Sequence, residues 1–192
     1  MNICVFGAAS EKIDDIYKET AELLGEKLAR KNHTVVFGGG KYGVMGALAR
    51  GATKENGKLI SVATNFFKDA GVLYEKCFKF YYAETMRERK QLLESNSNAF
   101  IAAPGGMGTF EEFLEILTLK QLGQTNKALA IYNVNHYYDD LISFLNKAVN
   151  DHFMDEEDMS LFYVSDNIDD IIEYIENYEA PEFHVNKLQN RG

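Results

Sequence analysis

The sequence predicts an α/β fold on a parallel sheet, and three observations predict it. Apolar runs of four to six residues recur along the chain. Stretches of ten or more residues with apolar spacing of three to four separate them. Glycines cluster where some of the runs end. Strands of this kind are buried on both faces, and ligands of such sheets sit at the strands' carboxyl ends.

Taken in order, residues 2–7 (NICVFG) read as a buried strand. Residues 13–31 read as a helix, with Ile13, Ile16, Tyr17, Leu23, Leu24 and Leu28 at three-to-four-residue spacing. Residues 34–37 form a second strand, followed by the glycines of GGGKYGVMG and a small-residue helix over 44–55. KLISVA (58–63) is a third strand. Residues 64–84 read as irregular, with one short strand around 77–81. Residues 86–95 are helical, AFIAA (99–103) is a strand, and 109–122 is a helix. KALAIY (127–132) is a strand and 138–149 a helix. Residues 161–164 are a last strand, and 168–178 a last helix N-capped by Asp166 or Asn167.

The 192 residues are 46% hydrophobic and 26% charged, so one domain over 1–192 is expected, with a core to about 180 and a short tail. A chain of this length buries roughly 70% of its unfolded surface without a staple. Two cysteines, Cys4 and Cys77, are too few for a disulfide framework, which points to a reducing, cytoplasmic setting. No signal peptide and no apolar run near the ~20 residues of a membrane span are expected. The net charge of −9 is uneven: residues 139–182 carry 14 acidic residues and one basic, whereas 1–138 carry 17 basic and 15 acidic. No long basic stripe is present for a nucleic acid, but the first part can hold one small anion.

Two glycine loops carry the chemistry. Gly38-Gly39-Gly40-Lys41-Tyr42-Gly43 matches G-x-G-x-x-G, but the next strand ends in Thr64-Asn65 rather than in an acidic residue. Lys41 is followed by Tyr42 rather than Ser or Thr, so neither a dinucleotide fingerprint nor a P-loop is complete. A tight turn and backbone approach to a ligand at Gly39 and Gly40 both remain open. The second loop is sharper: Pro104-Gly105-Gly106-Met107-Gly108-Thr109 precedes a helix, so backbone amides and a hydroxyl meet at a helix N-terminus, an anion site. Its alternative is a capping box, Thr109 with Glu112. Upstream, Met86, Arg89 and Leu93 share one helical stripe, so Arg89 sits near an apolar face and needs a carboxylate or phosphate partner. A structural ion pair is the alternative.

M-x-x-R-K at 86–90 and A-F-I-A-x-P-G-G-x-G-T-x-x-E at 99–112 resemble the LOG ("lonely guy") family, the cytokinin riboside 5'-monophosphate phosphoribohydrolases. The likeness extends through VFGAAS (5–10) and GGGKYGVMGALARGA (38–52). It implies a Rossmann-like, three-layer α/β/α fold, a homodimer, and hydrolysis of the N-glycosidic bond of an adenosine 5'-monophosphate, N6-modified or not. By this resemblance Arg89 and Glu112 are the catalytic pair. Lys90, Gly105, Gly106, Met107, Gly108 and Thr109 bind substrate and phosphate, Thr118 contacts ligand, and Ser10 follows the first strand where the family often has Gly-Ser-Ser. Departures fall at Ala8 and Ala9, at Asn98, and at Gly71, where a glutamate is expected. No metal or cofactor is called for. The four histidines have no ligand spacing, and nothing supports a pyridoxal phosphate lysine, although some relatives carry a lysine decarboxylase label.

Breaking a ribosyl–base bond passes through an oxocarbenium-like state that a carboxylate stabilises, which suits Glu112, while Arg89 keeps its proton and pairs with Glu112 to hold it ionised. A non-catalytic nucleotide carrier or sensor is the alternative. Phe110, Phe113, Leu114, Ile116, Leu117, Leu119 and Leu122 make helix 109–122 apolar almost all round, which with Leu92 and Leu93 predicts a twofold interface.

Overall fold

The computed structural model describes residues 1–180. The chain runs through β1 (Asn2–Phe6), α1 (Asp15–Arg30), β2 (Thr34–Phe37), α2 (Gly43–Lys54), β3 (Leu59–Thr64), α3 (Asn65–Asp69) and β4 (Lys79–Ala83). It continues through α4 (Met86–Ser95), β5 (Ala99–Ala102), α5 (Met107–Gln121), β6 (Ala128–Tyr132), α6 (Asp139–Asn150), β7 (Tyr163–Ser165) and α7 (Ile168–Glu176). Short 3-10 turns lie at Val134–His136 and Glu156–Leu161.

All seven strands are parallel, in the order β4-β3-β2-β1-β5-β6-β7. The alternation of side chains along each strand builds the layers. Ile3 and Val5 of β1 face one core with Leu24, Leu28, Leu48 and Ile172, which brings α1, α2 and α7 to that side. Cys4 and Phe6 face a second core with Leu93, Phe113, Ile116 and Leu145, which brings α4, α5 and α6 to the other. The result is the expected Rossmann-like three-layer α/β/α arrangement. On the first side α1 and α2 cross closely, because a Cβ on Gly25 would meet the Leu48 carbonyl at 2.1 Å and one on Gly51 the Glu22 carbonyl at 1.9 Å.

The chain lays β2, β3 and β4 outward from β1, then returns to place β5 on β1's other side. The crossovers therefore diverge between the carboxyl ends of β1 and β5, the switch point at which such sheets bind ligands. Both ends lead into loops named from the sequence, 7–10 and 103–109.

Several elements differ from the sequence reading: α1 begins at Asp15 rather than 13, and β4 spans Lys79–Ala83 rather than 77–81. α5 begins at Met107 with Gly106 as its N-cap, two residues before the predicted start. The stretch 64–84 contains α3, a single helical turn too short for periodicity to reveal. The last strand starts at Tyr163, because the residues before it form a 3-10 turn with an Asp155–Asp158 capping box. Asn167 caps α7, its side chain accepting from the Asp169 amide. The tail beyond 180 and His184 lie outside the described residues. Among the described residues no helix is long and apolar enough to cross a membrane.

Candidate active site

A cavity of about 660 Å³ opens at the switch point. Its polar wall is the second glycine loop, through Gly106, Met107, Gly108 and Thr109, with Arg89 and Glu112 behind it. Its apolar wall comes from α3 and the segment after it, through Phe66, Phe67, Ala70, Val72 and Leu73. Gly7, Ala8, Ala9, Ser10, Gly38, Gly40, Tyr42, Met45, Met86 and Glu111 complete the lining.

The local sequence sets each group. α4 starts at the N-cap Thr85, whose hydroxyl accepts from the Glu88 amide, while the Glu88 carboxylate accepts from the Glu84 amide. This fixes the first turn and with it the direction of Arg89 one residue later. Arg89 is 7% exposed. Its Nε donates to the Val62 carbonyl of β3 at 3.0 Å, and its Nη1 donates to Glu112 Oε1 at 2.8 Å. The guanidinium lies against Gly38, where a Cβ would meet Nη2 at 2.2 Å. Gly38 is a glycine because the arginine occupies that space.

Glu112 is buried in α5, its side chain 11% exposed. Burial pushes its carboxyl above the ordinary carboxylate value; the neighbouring Arg89 pulls it back without cancelling the rise. Of the two effects desolvation is the larger, because the pair has left water together, and the Arg89 pairing opposes it in favour of the ionised form.

The Thr109–Glu112 capping box does not form. With the N-cap at Gly106 and no side-chain cap, Thr109 lies inside the first turn, buried, and Glu112 turns to Arg89 instead. The start of α5 therefore meets the cavity through its own amides. Gly105 does not line the cavity. A Cβ there would meet Thr109 Oγ1 at 2.0 Å, so Gly105 lets the loop fold back on its helix.

The first glycine loop plays a different part. The α2 N-terminus is taken by the Glu11 carboxylate, which accepts from the Gly43 amide at 2.8 Å. Gly39 adopts φ +80° and packs on Ser61, while Gly38 and Gly40 reach the cavity. The loop is pinned to the segment after α3: the Lys41 and Tyr74 amides donate to the Val72 and Gly39 carbonyls. It is a tight turn that supplies a wall, not an anion cradle.

Two residues expected to contact ligand fall elsewhere. Lys90 Nζ pairs with Glu111 and Glu115, each at 2.8 Å, and faces a groove of about 130 Å³ between α4 and α5. Thr118 is exposed further along α5, its hydroxyl donating to the Leu114 carbonyl. Sequence reasoning missed Phe66, Phe67 and the Val62 carbonyl, which only the packing of α3 and β3 brings in. Among the described residues no lysine lines the cavity, and no group of three or more His, Cys, Asp or Glu is placed to hold a metal ion.

Residues 45–175 match the sequence profile of the family described as "Possible lysine decarboxylase". The cytokinin riboside 5'-monophosphate phosphoribohydrolase LOG5 of Arabidopsis thaliana is 30% identical over 177 residues, 92% of this chain and 78% of that protein. The probable cytokinin riboside 5'-monophosphate phosphoribohydrolase LOGL9 of Oryza sativa subsp. japonica is 33% identical over 176 residues, 92% of this chain and 78% of that protein. Among solved structures, the molybdenum cofactor binding protein of Rippkaea orientalis shares the fold at TM-score 0.69 and 22% identity, covering 91% of this chain and 94% of that one. The profile match, the relatives at 30% identity and above, and the M-x-x-R-K and P-G-G-x-G-T-x-x-E residues meeting at one cavity place the chain in one family: it belongs to the LOG family of cytokinin riboside 5'-monophosphate phosphoribohydrolases.

Proposed function

We propose that the protein hydrolyses the N-glycosidic bond of nucleoside 5'-monophosphates, AMP and its N6-modified forms, to free base and ribose 5-phosphate. The observation that carries this reading is the buried Arg89–Glu112 pair in the same cavity as an uncapped helix N-terminus. The amides at the start of α5 and the Thr109 hydroxyl receive the phosphate. The base lies toward Phe66, Phe67 and Leu73, where an apolar substituent is accommodated. Glu112 faces the ribose. The C1'–N bond breaks, its electrons leave with the base, and positive charge develops on the sugar. Glu112 stabilises that charge and orients the water whose oxygen bonds to C1'; the water's proton passes through the carboxyl to the departing base. Arg89 holds the carboxyl in place and limits the rise of its pKa.

A carrier or sensor of nucleotides would gain nothing from a buried carboxylate beside an anion site, so the pair favours hydrolysis. The protein works as a cytoplasmic homodimer in this reading. Both cysteines among the described residues are free, and the mixed charges of the α4–α5 groove, Arg87 and Lys90 against Glu94 and Glu115, suit a twofold contact.

The test is release of base from AMP and from adenosine under identical conditions, followed by chromatography. Charge-assisted contacts contribute about 1.5–3 kcal/mol each, so losing two costs about 10²–10⁴-fold in efficiency. AMP is expected to exceed adenosine by that margin. Comparable values would remove the phosphate site from the glycine loop, and AMP left intact by the enzyme, with N6-modified AMP equally intact, would favour the carrier.

A further inference from the structure

The turn after β6 reaches back to the second glycine loop. Its backbone is unusual: Asn135 and His136 both have positive φ, +50° and +59°, a conformation that costs non-glycine residues energy and persists only when neighbours enforce it. Here the enforcing group is Asn133, 8% exposed. Its side-chain oxygen accepts from the Tyr138 amide at 2.7 Å, and its amide nitrogen donates to Asp139 at 2.8 Å. The product of this turn is a pair of adjacent tyrosines aimed at one loop. The Tyr137 hydroxyl donates to the Gly105 carbonyl at 2.6 Å, and the Tyr138 hydroxyl donates to the Ala103 carbonyl at 2.7 Å. Between them the Pro104 carbonyl accepts from the Ala8 amide at 3.1 Å.

Three consecutive carbonyls of the loop are thus each held by a separate donor, and none of the three residues lines the cavity. Every peptide bond among the described residues is trans, so a carbonyl and the N–H of the following residue point opposite ways. Fixing the Gly105 oxygen on Tyr137, outside the cavity, turns the Gly106 N–H toward the side that Gly106 lines. A glycine-rich loop has no intrinsic preference for either orientation, and a flipped peptide would present a carbonyl dipole to an anion.

We infer that Tyr137 is a positioning residue that holds the Gly105 carbonyl outward and so preorganises the loop for a phosphate monoester, with Tyr138 anchoring the start of the loop at Ala103. The inference rests on the proposed role of the loop. Tyr137 is the cleaner probe: it is 40% exposed, and Tyr137→Phe keeps the ring packed edge-on to Tyr17 and Tyr138.

The experiment is calorimetric titration of the wild-type protein, Tyr137→Phe and Tyr138→Phe with ribose 5-phosphate and with adenosine, alongside thermal melting. Tyr137→Phe is expected to bind ribose 5-phosphate about tenfold more weakly, equivalent to about 1.4 kcal/mol, with adenosine binding unchanged and a smaller loss in Tyr138→Phe, because the peptide after Ala103 has no N–H to turn. A merely structural role would weaken both ligands together, and that result would overturn the proposal, as would ribose 5-phosphate binding in Tyr137→Phe equal to wild type. Wild-type protein that binds ribose 5-phosphate no better than ribose would instead overturn the phosphate reading of the loop, and the positioning role with it.

Discussion

At the scale of single residues, Glu112 and Arg89 show how two ionisable groups share a dry site. Arg89 satisfies its guanidinium on a backbone carbonyl and one carboxylate oxygen, and Glu112 is left raised in pKa because burial outweighs that pairing. A carboxyl raised in the folded state favours folding below its unfolded value, and that contribution is lost as pH rises through the folded value. Carbon NMR of Glu112 is expected to give a midpoint above 4.5, moving higher still in Arg89→Ala, where the compensating cation is gone. A midpoint at or below 4.5 would show that the ion pair dominates. Glu112→Gln keeps an acceptor for Nη1 but leaves the arginine charge unneutralised, at a cost of about 1–3 kcal/mol of stability. Its turnover on AMP should fall by at least ~10²-fold, the size of one lost electrostatic or base contribution. Near-normal turnover in a folded Glu112→Gln would reduce the residue to a structural partner of Arg89.

At the scale of elements, the two glycine loops look alike in sequence and act differently, because their helices are capped differently. α2 has a carboxylate from Glu11 at its N-terminus; α5 has none, and its amides open onto the cavity. The S/T-x-x-E pattern misleads in the same way. At Thr109 it forms no cap, whereas Thr85 and Glu88, the same spacing, fix the start of α4. The loop after β2 matters through the space it leaves. Gly38→Ala would push a methyl into the Arg89 guanidinium, where the approach would be 2.2 Å, and the arginine has two fixed contacts to lose. Turnover is expected to drop on the order of 10²-fold, as small displacements of catalytic groups do. Melting should fall as well, because a displaced Arg89 leaves the buried Glu112 without its partner. Full activity in Gly38→Ala would mean that the guanidinium moves without consequence.

At the scale of the whole molecule, the apolar helix that suggested a dimer is mostly accounted for within one chain. Phe113, Ile116 and Leu117 of α5 are buried against the sheet, and Phe113 meets Phe162 edge-on at 5.5 Å. Leu114 is exposed and Leu119 half-buried, so the surface left for a partner combines these with the charged α4–α5 groove. Sedimentation at micromolar concentration is expected to show twice the chain's mass, and less of it at high salt if the groove's charges contribute. A monomer across that range would refute the twofold contact.

Strand and helix order was readable from the sequence because each element carries its own signature: doubly buried strands are short apolar runs, and surface helices repeat at 3.6. So were the glycine loop before a helix and the arginine on an apolar stripe, which are local facts, whereas the pairing of M-x-x-R-K with P-G-G-x-G-T-x-x-E came from the resemblance to the LOG family. The helical turn of α3 was not, because five residues are too few for a period. The placement of Thr118 and Lys90 away from the cavity, the grip of Tyr137 and Tyr138 on the loop, and the raised pKa of Glu112 were also decided only by the fold. Each depends on which surfaces meet across the sheet, and burial and long-range hydrogen bonds are properties of contacts between segments that are distant in the chain.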